Sequence, residues 1–380
     1  MATKDIVLVG GGHAHVHVMK ALAGRLPASW RVTLVSPGSH TPYSGMLPGF
    51  IAGIYSLDDA HIDLEWLATE TGAHFRQTRA VGLDREKRLV LTAEGEPVPY
   101  DLVSLDVGIT PALDAIPGAA EHAIAVKPIA AFVAKYDALM QAARRADGPR
   151  RIAVVGGGAG GVELLLSLHG RLARLAKEAG LNADHFGFVL VTSGALLATH
   201  NARVRQAFRR DLAGKGIILH EEARVTAIEA DGLRLGEGAF VAADAVLVTT
   251  QAQPPDWFAA TGLALDEKGF IAVGPTLQTL NDARIFAAGD CAALVETPRE
   301  KAGVYAVRAG PPLARNLIAM AGGKEPQPWS PQKRHLALIS TGEKYAVASR
   351  GAFKAEGAWV WHLKDWNDRR WMDRYRKPRP

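Results

Sequence analysis

The sequence predicts an α/β protein built on two copies of one unit: a buried strand, a glycine turn, a helix and a second strand. Residues 5–9 (Asp-Ile-Val-Leu-Val) are a short continuous apolar run, as a parallel strand covered on both faces requires, and they end in Gly10-Gly11-Gly12. Residues 151–155 (Arg-Ile-Ala-Val-Val) repeat the pattern and end in Gly156-Gly-Gly-Ala-Gly-Gly161. Glycine makes up 39 of 380 residues, above the usual share of about 7%, which suits a chain whose backbone must come close to something.

The elements follow in order. After the first turn the pattern predicts a helix from about 13 to 26 and a strand at 31–35. Segments 81–92 and 98–105 read as short strands, and Pro111, Pro117 and Pro128 punctuate a crossing segment. After the second turn come a helix over 162–179 and a strand at 187–192. Residues 217–228 and 233–248 alternate like antiparallel strands, Pro254-Pro255 marks a second crossing, and 279–290 reads as strand, turn and helix. A helix is expected at 302–309. Beyond Gly322, prolines at 326, 328 and 331 form a linker to a small strand-rich piece and a tail.

Composition narrows the function classes. Apolar residues are 48% and charged residues 22%, as in ordinary globular proteins. The single cysteine, Cys291, forbids an intrachain disulfide or redox-active pair. No apolar run reaches the ~18 residues of a spanning helix, and the start runs straight into a strand without a secretory pattern, so a cytoplasmic location is expected. The net charge is +5, and residues 359–380 hold seven Lys/Arg against three Asp. The body is therefore nearly neutral, which excludes a general nucleic-acid surface.

In each glycine turn the first glycine permits the tight bend, the second lets a pyrophosphate approach the backbone, and the third lets the helix lie close to the strand. The unpaired N–H groups and dipole of the helix then meet the pyrophosphate. Gly156, Gly158 and Gly161 fit completely. Gly10 and Gly12 fit, but His15 stands at the third position, and a bulky residue there must displace the helix or point aside. His13, His15 and His17 alternate, which raises a metal site, yet no carboxylate or cysteine cluster accompanies them; a nucleotide-binding helix start with unusual packing is the favoured reading, and no metal is expected.

A third element, Gly289-Asp290 within Thr279–Ala292, completes the set. With the two turns in this order the chain resembles the two-dinucleotide-binding-domain flavoproteins, the pyridine nucleotide–disulfide oxidoreductase superfamily. The likeness covers roughly residues 4–320. It implies two Rossmann-like domains, an FAD domain over 1–111 and 270–325 and an NAD(P)H domain over 112–269, with a small α+β region at 326–380. Asp290 matches the acid that holds the ribityl chain of FAD. Asp106-Val-Gly108 matches the family's Ala-Thr-Gly crossing segment, with Asp106-Val107 replacing Ala-Thr. The FAD site is expected to include Gly10, Gly12, His13, Ser36, Pro42, Val81, Gly108, Gly289, Asp290, Ala302 and Gly303. Ser36 and Thr192-Ser193 stand where an acid usually meets a ribose. The donor is NADH or NADPH, since a missing acid removes the usual repulsion of a 2′-phosphate.

The stretch His40-Thr-Pro-Tyr-Ser-Gly-Met-Leu-Pro48 lacks the cysteines of disulfide reductases, and Cys291 alone cannot serve a sulfide:quinone oxidoreductase. The chain resembles type II NADH dehydrogenases and, more closely, the flavoproteins associated with selenide, water dikinase; residues 10–15, 36–49 and 301–308 carry that second likeness, and these residues include no kinase domain. The resemblance implies hydride transfer from NAD(P)H to FAD, then reduction of a quinone. It gives Glu163 a place near nicotinamide and flavin, and Lys301 a place near the flavin pyrimidine edge. Tyr43 and Tyr305 are candidates for the acceptor pocket. The alternative is a flavin-bearing redox sensor or partner protein linked to selenium handling. In the tail, Trp359, Val360, Leu363, Trp366, Trp371 and Tyr375 fall on about half of one helix. With basic flanks, this face suits a peripheral membrane contact through 359–375, on the cytoplasmic side; packing on the protein's own body or in a homodimer is the other reading.

Overall fold

A computed structural model describes residues 3–182, 185–249 and 252–377. Two parallel sheets dominate. The first is built outward from Lys4–Val9, which pairs with Trp30–Ser36 on one side and Leu102–Leu105 on the other. His74–Gln77 extends one edge, and Asp282–Ala287, from far along the chain, pairs with Leu102–Leu105 on the opposite flank. The second sheet runs Ala123–Ala125, Ala245–Val248, Arg151–Val155, Gly187–Val191, Ile218–His220, all parallel. The strands are apolar on both faces because helices cover both: Ile6, Val7, Leu8, Ile152, Ala153 and Val154 are fully buried.

Three expectations are corrected. The span 217–248 is not one antiparallel set. Ile218–His220 joins the parallel sheet, and the chain turns out at Glu222 (φ 53°). Val225–Glu229, Gly232–Leu235 and Phe240–Ala242 then form a separate antiparallel sheet, and Ala245–Val248 returns to the parallel one. Residues 279–290 do not end in a helix: Gly289 adopts φ 68°, a single 3-10 turn spans Gly289–Cys291, and a strand, Ala292–Leu294, follows. The helix expected at 302–309 runs from Gly303 to Ala321, through Pro311 and Pro312. It lies so close to the helix His13–Leu22 that a Cβ on Gly310 would sit 2.9 Å from His17 Cβ.

A three-stranded antiparallel sheet, Ala337–Ser340, Ala346–Arg350 and Phe353–Gly357, leads into the tail helix Ala358–Met372. The expected single aromatic face of that helix is divided. Val360, Trp361, Lys364, Asp368, Trp371, Met372 and, beyond the helix, Tyr375 are buried, whereas Trp359 (58% exposed), Leu363 (38%) and Trp366 (56%) point outward. Trp371 stacks on Tyr43 with centroids 4.2 Å apart, and Tyr375 OH lies 2.9 Å from His17 Nδ1. Half of the tail therefore packs on the protein itself. Arg379 lies outside the described residues.

Candidate functional site

The first turn leaves the strand through Gly10 (φ 92°), a conformation that favours glycine. A Cβ on Gly12 would lie 2.2 Å from the Asp106 carboxyl carbon, so the second glycine is required by close approach. His15 does not obstruct the helix, because it points into the core. Its Nδ1 lies 2.7 Å from the Gly10 carbonyl and its Nε2 2.8 Å from Ser104 Oγ, and burial pulls it down to about 4, so it is neutral. His13 is likewise neutral; its Nε2 accepts from Ser44 N–H at 3.3 Å. With His17 on Tyr375, the three histidines serve three separate partners. Among the described residues no group of three or more His, Cys, Asp or Glu could hold a metal.

The other residues expected at the FAD site come from several elements. Ser36 is buried at the end of its strand. Pro42 ends the short strand His40–Pro42, next to Tyr43 and Ser44. A Cβ on Gly303, the first residue of its helix after Ala302, would lie 2.8 Å from Ser44 Oγ. A Cβ on Gly289 would lie 2.2 Å from Asp106 Oδ1. Gly108 (φ 76°) closes the crossing segment, and Val81 is 40% exposed on the strand Ala80–Asp84. Asp290 Oδ2 lies 2.8 Å from Lys127 Nζ, a cation that follows the edge strand Ala123–Ala125 of the second sheet. No sequence signal marked Lys127.

The second turn is bare backbone. Gly156 adopts φ 128°, and a Cβ on Gly161 would lie 1.9 Å from the Gly156 carbonyl oxygen. A Cβ on Gly158 would meet nothing within 4 Å, which leaves open space at the start of the helix Ala159–Glu178. That is the cradle a pyrophosphate needs.

Glu163, two residues past this turn, joins the tail. Its Oε1 accepts the Ser340 N–H at 2.8 Å, and burial pushes its carboxyl up to about 7 against the attraction of Lys364. Lys364 donates to the Gly45 carbonyl and to Asp368 Oδ2, both at 2.6 Å, and Tyr43 OH donates to Asp368 Oδ1 at 3.3 Å. The tail thus inserts a buried ion pair between the segment beside the first turn and the helix behind the second. The sequence reading missed both residues, although a Lys and an Asp at i, i+4 on one helix face were visible. The Lys301 ammonium donates to the Ala292 carbonyl and lies 3.9 Å from the centre of the Phe270 ring. Tyr305 stands beside Asp290 and Lys301, lining one small cavity with them, whereas Tyr43 belongs to the Glu163 cluster. Cys291 is buried, its thiol pushed up to about 12 by burial and directed at the Ala288 and Leu105 carbonyls.

Residues 4–321 match the pyridine nucleotide-disulphide oxidoreductase family. The chain belongs to that family. It is an FAD-dependent, NAD(P)H-linked flavoprotein with two Rossmann-like sheets. It is 24% identical to the type II NADH:quinone oxidoreductase of Haemophilus influenzae over 84% of this chain and 81% of that one. It is 25% identical to a nitrite reductase [NAD(P)H] of Bacillus subtilis over 77% of this chain but only 35% of the relative. The chain spans about a third of the length of the nitrite reductases it matches and about half of a demethylphylloquinone reductase from Synechocystis. In fold it is similar to the sulfide:quinone oxidoreductase of Aquifex aeolicus (TM-score 0.82, 18% identity, 98% and 92% of the two chains covered). It is also similar to NDH2 of Plasmodium falciparum in complex with NADH (TM-score 0.79, 13% identity, 99% of both).

The residues present fit both dinucleotides: two turns of backbone at helix starts, with Gly10, Gly12, Gly156 and Gly161 required by close approach and Gly158 facing open space.

Proposed function

We propose that the chain is an NAD(P)H dehydrogenase that passes electrons to a quinone-type acceptor, with FAD on the unit formed by 1–111 and 270–325, and NAD(P)H on 112–269. The observation that carries this reading is the buried cluster of Glu163, Lys364, Asp368 and Tyr43. Quinone reduction consumes two protons with two electrons, and this cluster holds protons beside both turns. FAD, when bound, supplies the two-electron chemistry, accepting hydride from NAD(P)H and delivering electrons to the acceptor.

The chain's own residues do the rest. The 156–161 turn binds the donor pyrophosphate. Asp290 accepts from the ribityl hydroxyls. Glu163, titrating near 7, can hold or release a proton at its carboxyl within the working range. Lys364 fixes the negative end of the cluster through Asp368, and Tyr43, whose hydroxyl donates to the same carboxylate, is the candidate to border an acceptor ring. No cysteine chemistry is invoked, consistent with a Cys291 thiol that stays protonated.

The outward stripe Trp359, Leu363 and Trp366, with Arg370 over the Trp366 ring at 5.0 Å, supports a peripheral contact with an anionic membrane surface. Among the described residues no helix is long and apolar enough to cross a membrane.

One experiment tests the whole reading. The purified protein is reduced anaerobically with NADH or NADPH in stopped flow, then mixed with a short soluble quinone or with a long-chain quinone in anionic vesicles. Fast reduction and repeated turnover with both quinones are expected. Glu163→Gln should retain FAD and lose at least tenfold in quinone turnover at pH 7, within the range of one proton-transfer group. Replacing Trp359, Leu363 and Trp366 together by Gln should slow only the vesicle assay. Slow reduction, or no quinone turnover, would refute the dehydrogenase reading in favour of a sensor.

A further inference from the structure

Asp106 is a carboxylate in a place where charge is costly. It is 3% exposed, and its Oδ2 accepts the N–H groups of Ala14 at 2.9 Å and His15 at 3.2 Å, in the first turn of the helix His13–Leu22. It also fills the gap between two backbone turns: Cβ atoms built on Gly12 and Gly289 would each lie within about 2.2 Å of it. It therefore touches both elements that form the FAD site, the glycine turn and the Gly289-Asp290 pair.

Among the described residues, the groups facing it offer no compensating cation. On the first helix, His13 and His15 are both neutral near pH 7. On the neighbouring strand Ser104 is engaged by His15. From the Gly289–Cys291 turn come Asp290, ion-paired with Lys127, and the Cys291 thiol, which stays protonated. Lys301 is turned to the Ala292 carbonyl. Burial, reinforced by Asp290 and opposed by the two N–H donors, raises the Asp106 carboxyl to about 7.

FAD brings a doubly charged pyrophosphate to this same helix start. Two anions at one buried helix terminus repel, and the titratable one is driven to its neutral form. We propose that FAD and a proton bind together, and that Asp106 receives the proton. This rests on the reading that FAD occupies the first turn. Protonated Asp106 still accepts the Ala14 N–H through one oxygen and keeps the helix start positive for the phosphates.

The sign is fixed by linkage. Below pH 7 Asp106 already carries its proton, so affinity is flat; above 7 the proton must be taken up, and the Kd for FAD rises by up to about tenfold per pH unit. The test dilutes the holoprotein at pH 6.0 to 8.5 and follows free FAD by its fluorescence. It then counts protons, in weak buffer with an indicator dye, as FAD leaves at pH 8. The expected result is a rising Kd above pH 7, with about one proton leaving per FAD. Asp106→Asn and Asp106→Ala should both remove the slope. A flat wild-type Kd, no proton release, or an unchanged slope in both variants would overturn the proposal; the proton count needs no variant to fold. Asp290→Ala separates the two levels: if FAD is held as tightly without it, the placement of FAD itself is wrong, whereas weaker binding with a flat pH profile defeats only the proton coupling.

Discussion

The two glycine turns begin alike and then diverge at one residue. Gly10 N–H donates to the Val35 carbonyl and Gly156 N–H to the Val191 carbonyl, both at 2.8 Å, so each strand end is tied to its neighbour in the same way. Five residues on, the second turn has Gly161, whose missing side chain lets the helix settle against the Gly156 carbonyl. The first has His15, whose imidazole hydrogen-bonds the equivalent Gly10 carbonyl. The shared requirement is contact between the helix and that carbonyl. Glycine meets it by absence, and histidine meets it with a polar ring that fills the space and satisfies the oxygen.

The comparison breaks most visibly if the two solutions are exchanged. Gly161→Ala forces a Cβ to within 1.9 Å of a backbone oxygen, and should cost about 2–3 kcal/mol as an overpacking strain. His15→Ala removes a fully buried ring and leaves the Gly10 carbonyl and Ser104 hydroxyl unpaired, for about 2–4 kcal/mol. Denaturant midpoints measure both. If His15→Ala is as stable as the wild type, the ring is not the strut described here.

A smaller effect on stability, but a sharp one on function, separates the middle glycines. A side chain at 158 meets no protein atom within 4 Å, so Gly158→Val should alter stability by less than about 0.5 kcal/mol. It should nevertheless slow flavin reduction by NAD(P)H while FAD stays bound. Unchanged reduction in stopped flow would mean that the donor does not use this turn.

Much of this was legible in the sequence, for reasons that differ between elements. The strands at 5–9 and 151–155 announce themselves because parallel strands buried on both faces must be continuously apolar. The turns are legible because their backbone demands glycine. His15 was visible as a departure, but its resolution was not, since Gly10 and Ser104 are brought to it only by the sheet. The cluster of Glu163, Lys364 and Asp368 lies further from view: nothing local says that a helix near the end of the chain packs behind a turn some two hundred residues earlier. The tail illustrates the same limit. Its aromatic spacing fits one broad face, yet the buried stripe centres on Lys364 and Asp368, because these two pair with one another and with Tyr43 and the Gly45 carbonyl.

The finest distinction between the turns is the tautomer of His15. The Gly10 carbonyl can only accept, so Nδ1 carries the proton. Nε2 must then accept, and Ser104, buried in the strand Leu102–Leu105, donates its hydroxyl proton at 2.8 Å. The second turn uses no such chain; there the Thr249 hydroxyl donates directly to the Val155 carbonyl at 3.2 Å, next to Gly161. Ser104→Ala should leave the Nε2 lone pair buried without a partner and cost about 1 kcal/mol. The first turn should otherwise keep its shape, because the Nδ1 bond survives. Nitrogen NMR of histidine-labelled protein at pH 7 should show His15 neutral, with Nδ1 protonated, in both wild type and variant. A proton on Nε2 in the wild type would reverse the donor and acceptor roles and remove the reason for a serine at 104, leaving packing alone to explain why a histidine can stand where the second turn needs glycine.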